Sequence, residues 1–196
     1  MLTAAQLLEG LARYRTNEVV VTTMSSARPW GHISDHALDF ASIDSAMGHG
    51  ADLALGIALA RPARKVICLN GDGSMLMTLG TLATIVGAAP TNLILIVCDN
   101  GTFEITGNQP VAGAGRLDYS ALAEAAGFRN VFRFDDARDY VESLPEVLGA
   151  IGPTFAHVLV KPGTEGPIGR GPEEEVPYLR PSLAESARAL RNALAL

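Results

Sequence analysis

Three short runs of apolar, mostly β-branched residues constrain this chain more than anything else in it: Glu18–Thr23 (EVVVTT), Val66–Leu69 and Leu93–Cys98. None shows the polar alternation of a half-exposed strand, so each reads as a strand covered on both faces, as in a parallel sheet. Two more strands are predicted at Val131–Phe134 and Phe155–Val160. Helical periodicity fills the intervals. Residues 3–14 place Leu7, Leu8 and Leu11 on one face behind a Thr3 cap, and residues 46–60 mix Gly and Ala with Leu and Ile until Pro62. Met75–Gly87 aligns Met75, Leu79, Leu82 and Val86, residues 118–127 stop at Gly127, and Tyr140–Gly149 follows. Met24–Asp35 reads as a polar loop. Residues 161–181, rich in Gly, Pro and Glu, read as an extended arm before a last helix over 183–194. Strand–helix alternation of this kind predicts an α/β fold of three layers, α/β/α, with a mostly parallel central sheet and one domain across residues 1–196.

Composition excludes several functions. The formal charge of −6 argues against a binder of nucleic-acid phosphates and against a basic membrane-surface protein. No apolar stretch approaches the roughly 20 residues of a membrane span, and the N-terminus lacks a signal-peptide pattern. The expectation is a cytoplasmic chain with no nucleic-acid or membrane partner. Cys68 and Cys98 lie inside apolar runs and outside any CxxC pair, so both are expected to be small core residues.

The chemistry is carried by two polar clusters. Asn70-Gly71-Asp72-Gly73-Ser74 directly follows one buried strand and precedes a helix; Asp99-Asn100-Gly101-Thr102 directly follows the next strand. Right-handed crossovers bring both to the carboxyl ends of parallel strands, where open α/β sheets bind ligands. Asp72 and Asn100, distant in sequence, are thereby expected in one coordination sphere. A carboxylate, an amide oxygen and a backbone carbonyl are hard ligands suited to Mg²⁺ or Ca²⁺, and too few to fill an octahedron. Phosphate oxygens would complete it, with Gly71 and Gly73 admitting the backbone and a helix start near Ser74 facing the anion. Nucleotide alternatives fail. Leu53, Leu76 and Asp118 stand where the three Gly-x-Gly candidates need a third glycine, and no Gly-Lys-Ser/Thr occurs.

Gly71-Asp72-Gly73-Ser74 followed by Asp99-Asn100 resembles the GDG…NN signature of thiamine-diphosphate (ThDP) enzymes, with Asp99 where the family usually has Asn. That resemblance implies the diphosphate-binding fold of the family, with the Asp72 carboxylate, Asn100 side chain and Thr102 carbonyl holding Mg²⁺. It extends from about residue 40 to 160. Ala46–Gly50, Ala54–Pro62, Leu79–Ile85 and Asn100-Gly101 with Thr106–Pro110 are similar to the phosphonopyruvate and sulfopyruvate decarboxylases, although that branch usually has Gly at Asn108. It further implies that Met47 is the bulky residue beneath the cofactor, beside Gly48, and that Gly71, Gly73 and Ser74 line its diphosphate.

In those relatives a glutamate that activates the pyrimidine comes from a separate domain. The matched region leaves no room for one here, so the resemblance implies a pyrimidine-domain (alpha) subunit as partner in a hetero-oligomer. The expected activity is a two-chain, non-oxidative 2-oxo acid decarboxylase of the sulfopyruvate or phosphonopyruvate type. A split acetolactate- or acyloin-forming carboligase and a non-catalytic ThDP-binding module are the alternatives. His49, in a glycine-flanked turn, and Glu104, beside the metal loop, are the candidate catalytic residues. Thr22, Thr23, Ser25 and Ser26 are expected on the pyrimidine side. Arg28, His32 and His36 are candidates for an anionic substrate or the partner chain, and Gln109 for closing over the cofactor.

Overall fold

The computed structural model describes residues 1–44 and 46–195. Its centre is a six-stranded sheet, β1 (Val19–Thr23), β2 (Asp39–Ser42), β3 (Val66–Gly71), β4 (Leu93–Asp99), β7 (Asn130–Phe134) and β8 (Thr154–Leu159), in the order β2-β1-β3-β4-β8-β7. Every pairing in it is parallel. A two-stranded antiparallel hairpin, β5 (Thr102–Phe103) with β6 (Gln109–Pro110), stands apart at the carboxyl end of β4.

Alternate strand residues feed two different cores. Val19, Val21, Val66, Cys68, Leu93, Leu95, Val97 and Phe155 face one side, where α3 (Gly50–Ala60), α5 (Thr81–Ala88), α6 (Tyr119–Ala126) and α8 (Leu183–Ala195) supply partners including Ala54, Ile85, Ala123 and Leu190. Val20, Ile67, Leu69, Ile94, Ile96, Ala156 and Val158 face the other. There α1 (Ala4–Tyr14), α2 (Ala27–Ile33) and α7 (Ala137–Gly149) contribute Leu7, Leu8, Leu11, Trp30, Tyr140 and Leu144. Both strand faces are dry, which is why the runs carry no polar alternation. The α/β/α expectation is met.

Local chemistry explains several element ends. The Thr3 hydroxyl accepts the Gln6 N–H while the Gln6 side chain accepts the Thr3 N–H, a capping box at the start of α1. Gly127 ends α6 at φ 101°, a left-handed position suited to glycine.

Four expectations need correction. The polar loop over Met24–Asp35 contains a 3₁₀ turn at Met24–Ser26 and then α2, because Trp30 and Ala27 give that segment a fully buried face. Pro29 sits in the first turn of α2, where its missing N–H is no loss. The helix expected over 46–60 begins at Gly50; Gly48 holds φ +89°, and residue 45 lies outside the described residues. The helix expected over Met75–Gly87 is two: α4 (Asp72–Met77) starts three residues early and breaks at Thr78, whose hydroxyl donates to the Gly48 carbonyl at 2.7 Å. The edge strand β2 gave no alternating signal and was not expected.

Beyond β8 the chain forms the arm, regular only at a 3₁₀ turn over Pro177–Leu179. It is tied down by part-buried arginines. Arg28 on α2 pairs with Glu165 at 3.0 Å and Glu174 at 3.2 Å. Arg170 pairs with Asp44 at 2.9 Å, donates to Ser186 Oγ at 3.0 Å and lies over the Phe40 ring. No helix among the described residues is long and apolar enough to cross a membrane.

Candidate functional site

From β1 the chain moves outward to β2, then crosses to β3 on the other side of β1, so the direction of winding reverses between β1 and β3. At such a switch point the loops leaving the two strands diverge and open a crevice at their carboxyl ends. A cavity of about 240 Å³ lies there. Thr23, Met24 and Ser25 line it from the end of β1, Gly71 to Ser74 from β3 and α4, and Cys98, Asn100, Thr102, Phe103 and Glu104 from β4 and the hairpin. Met47 and Met77 close one wall and are themselves about half exposed.

Both polar clusters therefore meet. The Asp72 carboxylate accepts the Gly101 N–H at 2.9 Å. Asn100 Oδ1 accepts the Thr102 N–H at 3.0 Å, and Asn100 Nδ2 donates to Glu104 Oε2 at 2.8 Å, which leaves Oδ1 turned as the acceptor of the loop. Glu104 Oε1 accepts the Glu165 N–H at 2.9 Å, so this carboxylate spans the loop and the arm. Asn108 occupies φ 59°, a left-handed conformation that asparagine tolerates, which accounts for an Asn at a position where the resemblance has Gly.

The glycines differ in purpose. A Cβ on Gly73 would stand 2.4 Å from the Phe103 ring, so that position is closed by packing. A Cβ on Gly48 would stand 3.0 Å from both Met77 and Thr78, beside Ser74. A Cβ on Gly71 would meet nothing within 4 Å, so glycine there leaves open space at the mouth of the first turn of α4.

The charges leave a clear demand. Burial pushes the Asp72 carboxyl up to about 7, and the Asp99 carboxyl facing it adds to the rise, against N–H donation from Gly73 and Gly101. Burial acts on Asp99 in the same sense, but His157, whose Nε2 lies 2.9 Å from Asp99 Oδ2, holds that carboxyl below its ordinary range. The Asp72 carboxyl and the Asn100 amide oxygen, with Asp99 behind them, form a hard, anionic donor set into which a divalent cation fits, and a cation there would hold Asp72 ionised. Among the described residues no group of three or more His, Cys, Asp or Glu forms a self-sufficient metal site. Such a cation would draw its remaining ligands from a bound molecule, as phosphate oxygens would allow.

Other expected residues are placed elsewhere. His49 is exposed at the N-cap of α3, outside the cavity lining, with Nδ1 2.5 Å from Asp52. Thr22 is buried against the Tyr178 hydroxyl, and Ser26 accepts the Thr23 N–H, so of that loop only Thr23 and Ser25 reach the cavity. Arg28 is spent on the arm, His32 pairs with Glu175 at 3.4 Å, and His36 accepts the Leu38 N–H. The Gln109 amide is satisfied by Thr106. Cys68 is a core residue as expected, whereas Cys98 is only part-buried and lines the cavity. Burial pushes its thiol up to about 12, so it stays protonated. Met24, at φ 34°, and Phe103 were missed, for neither carries a sequence signal. His157 had one: a histidine inside an apolar strand needs a buried partner.

Comparisons with known proteins agree with this geometry. Residues 21–158 match the family model for the thiamine pyrophosphate enzyme, C-terminal TPP binding domain. The chain is 38% identical over 177 residues to a phosphonopyruvate decarboxylase of Streptomyces viridochromogenes, covering 90% of this chain and 42% of that protein. It is 37% identical over 164 residues to the sulfopyruvate decarboxylase subunit beta of Methanothermobacter thermautotrophicus, covering 83% and 84%. In fold it is similar to the thiamine diphosphate-dependent 4-hydroxybenzoylformate decarboxylase of Rhodococcus jostii RHA1, with a TM-score of 0.71 at 23% identity over 84% of this chain and 33% of that one. The parallel sheet, the cavity at its switch point and the match across most of the chain lead to one assignment: the chain belongs to the thiamine pyrophosphate enzymes, as their C-terminal TPP binding domain.

Proposed function

We propose that this chain is the ThDP- and Mg²⁺-binding subunit of a cytoplasmic, two-chain, non-oxidative decarboxylase of small acidic 2-oxo acids, of the sulfopyruvate or phosphonopyruvate type. The observation that carries the reading is the meeting of Asp72 and Asn100, brought by neighbouring parallel strands to one cavity and fastened through Gly101. In this reading Asp72, Asn100 and the Thr102 carbonyl hold the metal. Gly71, Gly73 and Ser74 receive the diphosphate, and Met47 with Gly48 supports the ring system. When bound, ThDP supplies the nucleophilic carbon and the electron sink that loss of CO₂ requires. The protein's part is to bind, orient and keep water out. Glu104 orients Asn100 and joins the loop to the arm. His49 acts on substrate only by leaving Asp52 for the cavity mouth.

A partner chain is supported in two ways. The sulfopyruvate decarboxylase relative is named a subunit beta, and this chain spans most of its length. The cavity is also open beside Met47 and Met77, exposed apolar side chains that a partner's pyrimidine-binding domain would cover. The two free cysteines accord with a reducing compartment.

The test is co-production with a chain carrying a pyrimidine domain, followed by assay of CO₂ release from sulfopyruvate, phosphonopyruvate and pyruvate with and without Mg²⁺. Release that needs both chains and the metal supports the proposal. Turnover by this chain alone refutes the partner, and condensation of pyruvate with an aldehyde in place of simple release favours the carboligase.

A further inference from the structure

Behind the cavity lies a line of polar residues that no step above uses, with His157 and Tyr119 buried, Asp99 part-buried and Asp118 at the exposed end. His157 is 2% exposed in the middle of β8. Register explains its reach. Val97 on β4 pairs with His157, so Asp99 is the diagonal neighbour two residues further along the same strand face. Nε2 lies 2.9 Å from Asp99 Oδ2, and because an ionised carboxylate only accepts, that nitrogen carries the proton. The other nitrogen, Nδ1, has no hydrogen bond and stands 3.5 Å from Asp118 Oδ1. Asp118 is itself occupied as the cap of α6, accepting from Ser120 and Ala121. Tyr119 then joins the two ends of the line. Its ring packs edge-on against His157 at 5.5 Å between centroids, and its hydroxyl donates to the Asp72 carbonyl at 3.1 Å.

Resting on the cofactor reading above, we infer that His157 is a positioning residue for the metal and diphosphate site, acting through Asp99. The Asp99 carboxylate faces Asp72 and would swing or repel it if unrestrained. Donation from His157 fixes one Asp99 oxygen, and so sets which way the carboxylate beside the Asp72 ligand is turned. Tyr119 keeps the ring in place and holds the Asp72 backbone at the same time. His157 touches neither metal nor diphosphate; it sets the shape of what does. A role confined to satisfying a buried strand would alter stability and leave cofactor uptake unchanged.

The experiment is a calorimetric titration with ThDP in saturating Mg²⁺ of the full chain co-produced with a pyrimidine-domain partner, with thermal melting of each variant alongside. His157→Phe keeps the ring volume and removes the donor. It is expected to weaken uptake about 10-fold, the scale on which outer partners of metal ligands act. His157→Gln, which restores a donor toward Asp99, is expected to regain most of that loss. In an Asp99→Asn background the same His157→Phe change is expected to alter affinity by less than about 2-fold, since the carboxylate it oriented is gone. His157→Leu runs in parallel in case the phenylalanine is not tolerated. Lower melting temperature with unaltered affinity overturns the inference, as does an equal loss in both backgrounds or a glutamine as weak as the phenylalanine. No Mg²⁺-linked uptake by the unaltered chain with that partner present overturns the cofactor reading, and this inference with it.

Discussion

The Asp72 carboxylate accepts the backbone N–H of Gly101 at 2.9 Å, and this bond fastens the first turn of α4 to the loop that follows β4. Each partner belongs to a different strand exit. Their contact is what turns two separate polar clusters into one site, and most of the measurable consequences follow from it.

Asp72→Asn is isosteric and removes the charge a cation needs. It is expected to weaken Mg²⁺-linked ThDP uptake by at least ~10-fold in calorimetry while leaving the metal-free fold intact, since the facing carboxyls are relieved. Normal uptake by this variant would refute the assignment of the metal site.

Metal-free stability should depend on pH through the same residue. The folded Asp72 carboxyl is raised to about 7 from 3.8, so between those values the folded chain holds more protons than the unfolded one. Its stability therefore falls as pH rises from about 4 to 7, by on the order of 1–3 kcal/mol from this group. Melting curves at pH 5 and pH 8 should show that loss, and saturating Mg²⁺ with ThDP should reverse it at pH 8. A profile unchanged in Asp72→Asn would assign the dependence elsewhere.

The two glycines that flank Asp72 should separate stability from binding. In Gly73→Ala the new methyl meets the Phe103 ring, at a cost of about 1–3 kcal/mol in denaturant unfolding. In Gly71→Ala it enters open space at an ordinary φ of −84°, so stability should move by less than about 0.5 kcal/mol. The Gly71 variant should nonetheless bind ThDP less well, because the methyl stands where the diphosphate is proposed to lie.

Arg28 anchors the arm to α2 through Glu165, Glu174 and the Pro167 carbonyl, with its side chain 16% exposed. Arg28→Ala should leave the sheet folded and expose residues 161–175 to protease, at about 1.5–3 kcal/mol for the charged hydrogen bonds lost. If Arg28 served the substrate instead, digestion would be unchanged and catalysis alone would suffer.

The fold was legible because its signal is redundant. Val19–Val21, Val66–Leu69 and Leu93–Val97 are apolar at every position, and only a strand buried on both faces calls for that. The Asp72 and Asn100 site was legible because strand exits in a parallel sheet share one edge. What misled was local reading of segments whose structure comes from distant partners. Trp30 makes α2 a helix by entering a core built from other elements, and the Thr78 hydroxyl splits a helix by reaching Gly48. His49 looked poised by its glycine neighbours, yet the turn aims its ring at Asp52. Arg28 looked free until the arm returned to it.

By itself, then, the order of residues determined the parallel sheet, its two covered faces and the pair of oxygen-bearing side chains at its carboxyl edge, because these follow from hydrophobic pattern and from which end of a strand a loop leaves. Only the tertiary structure decided the strand order, and with it the crevice between β1 and β3. It alone set His157 diagonal to Asp99 and left Gly71 open while closing Gly73. Those outcomes depend on register and on side chains from remote segments meeting in space, which no local stretch of sequence encodes.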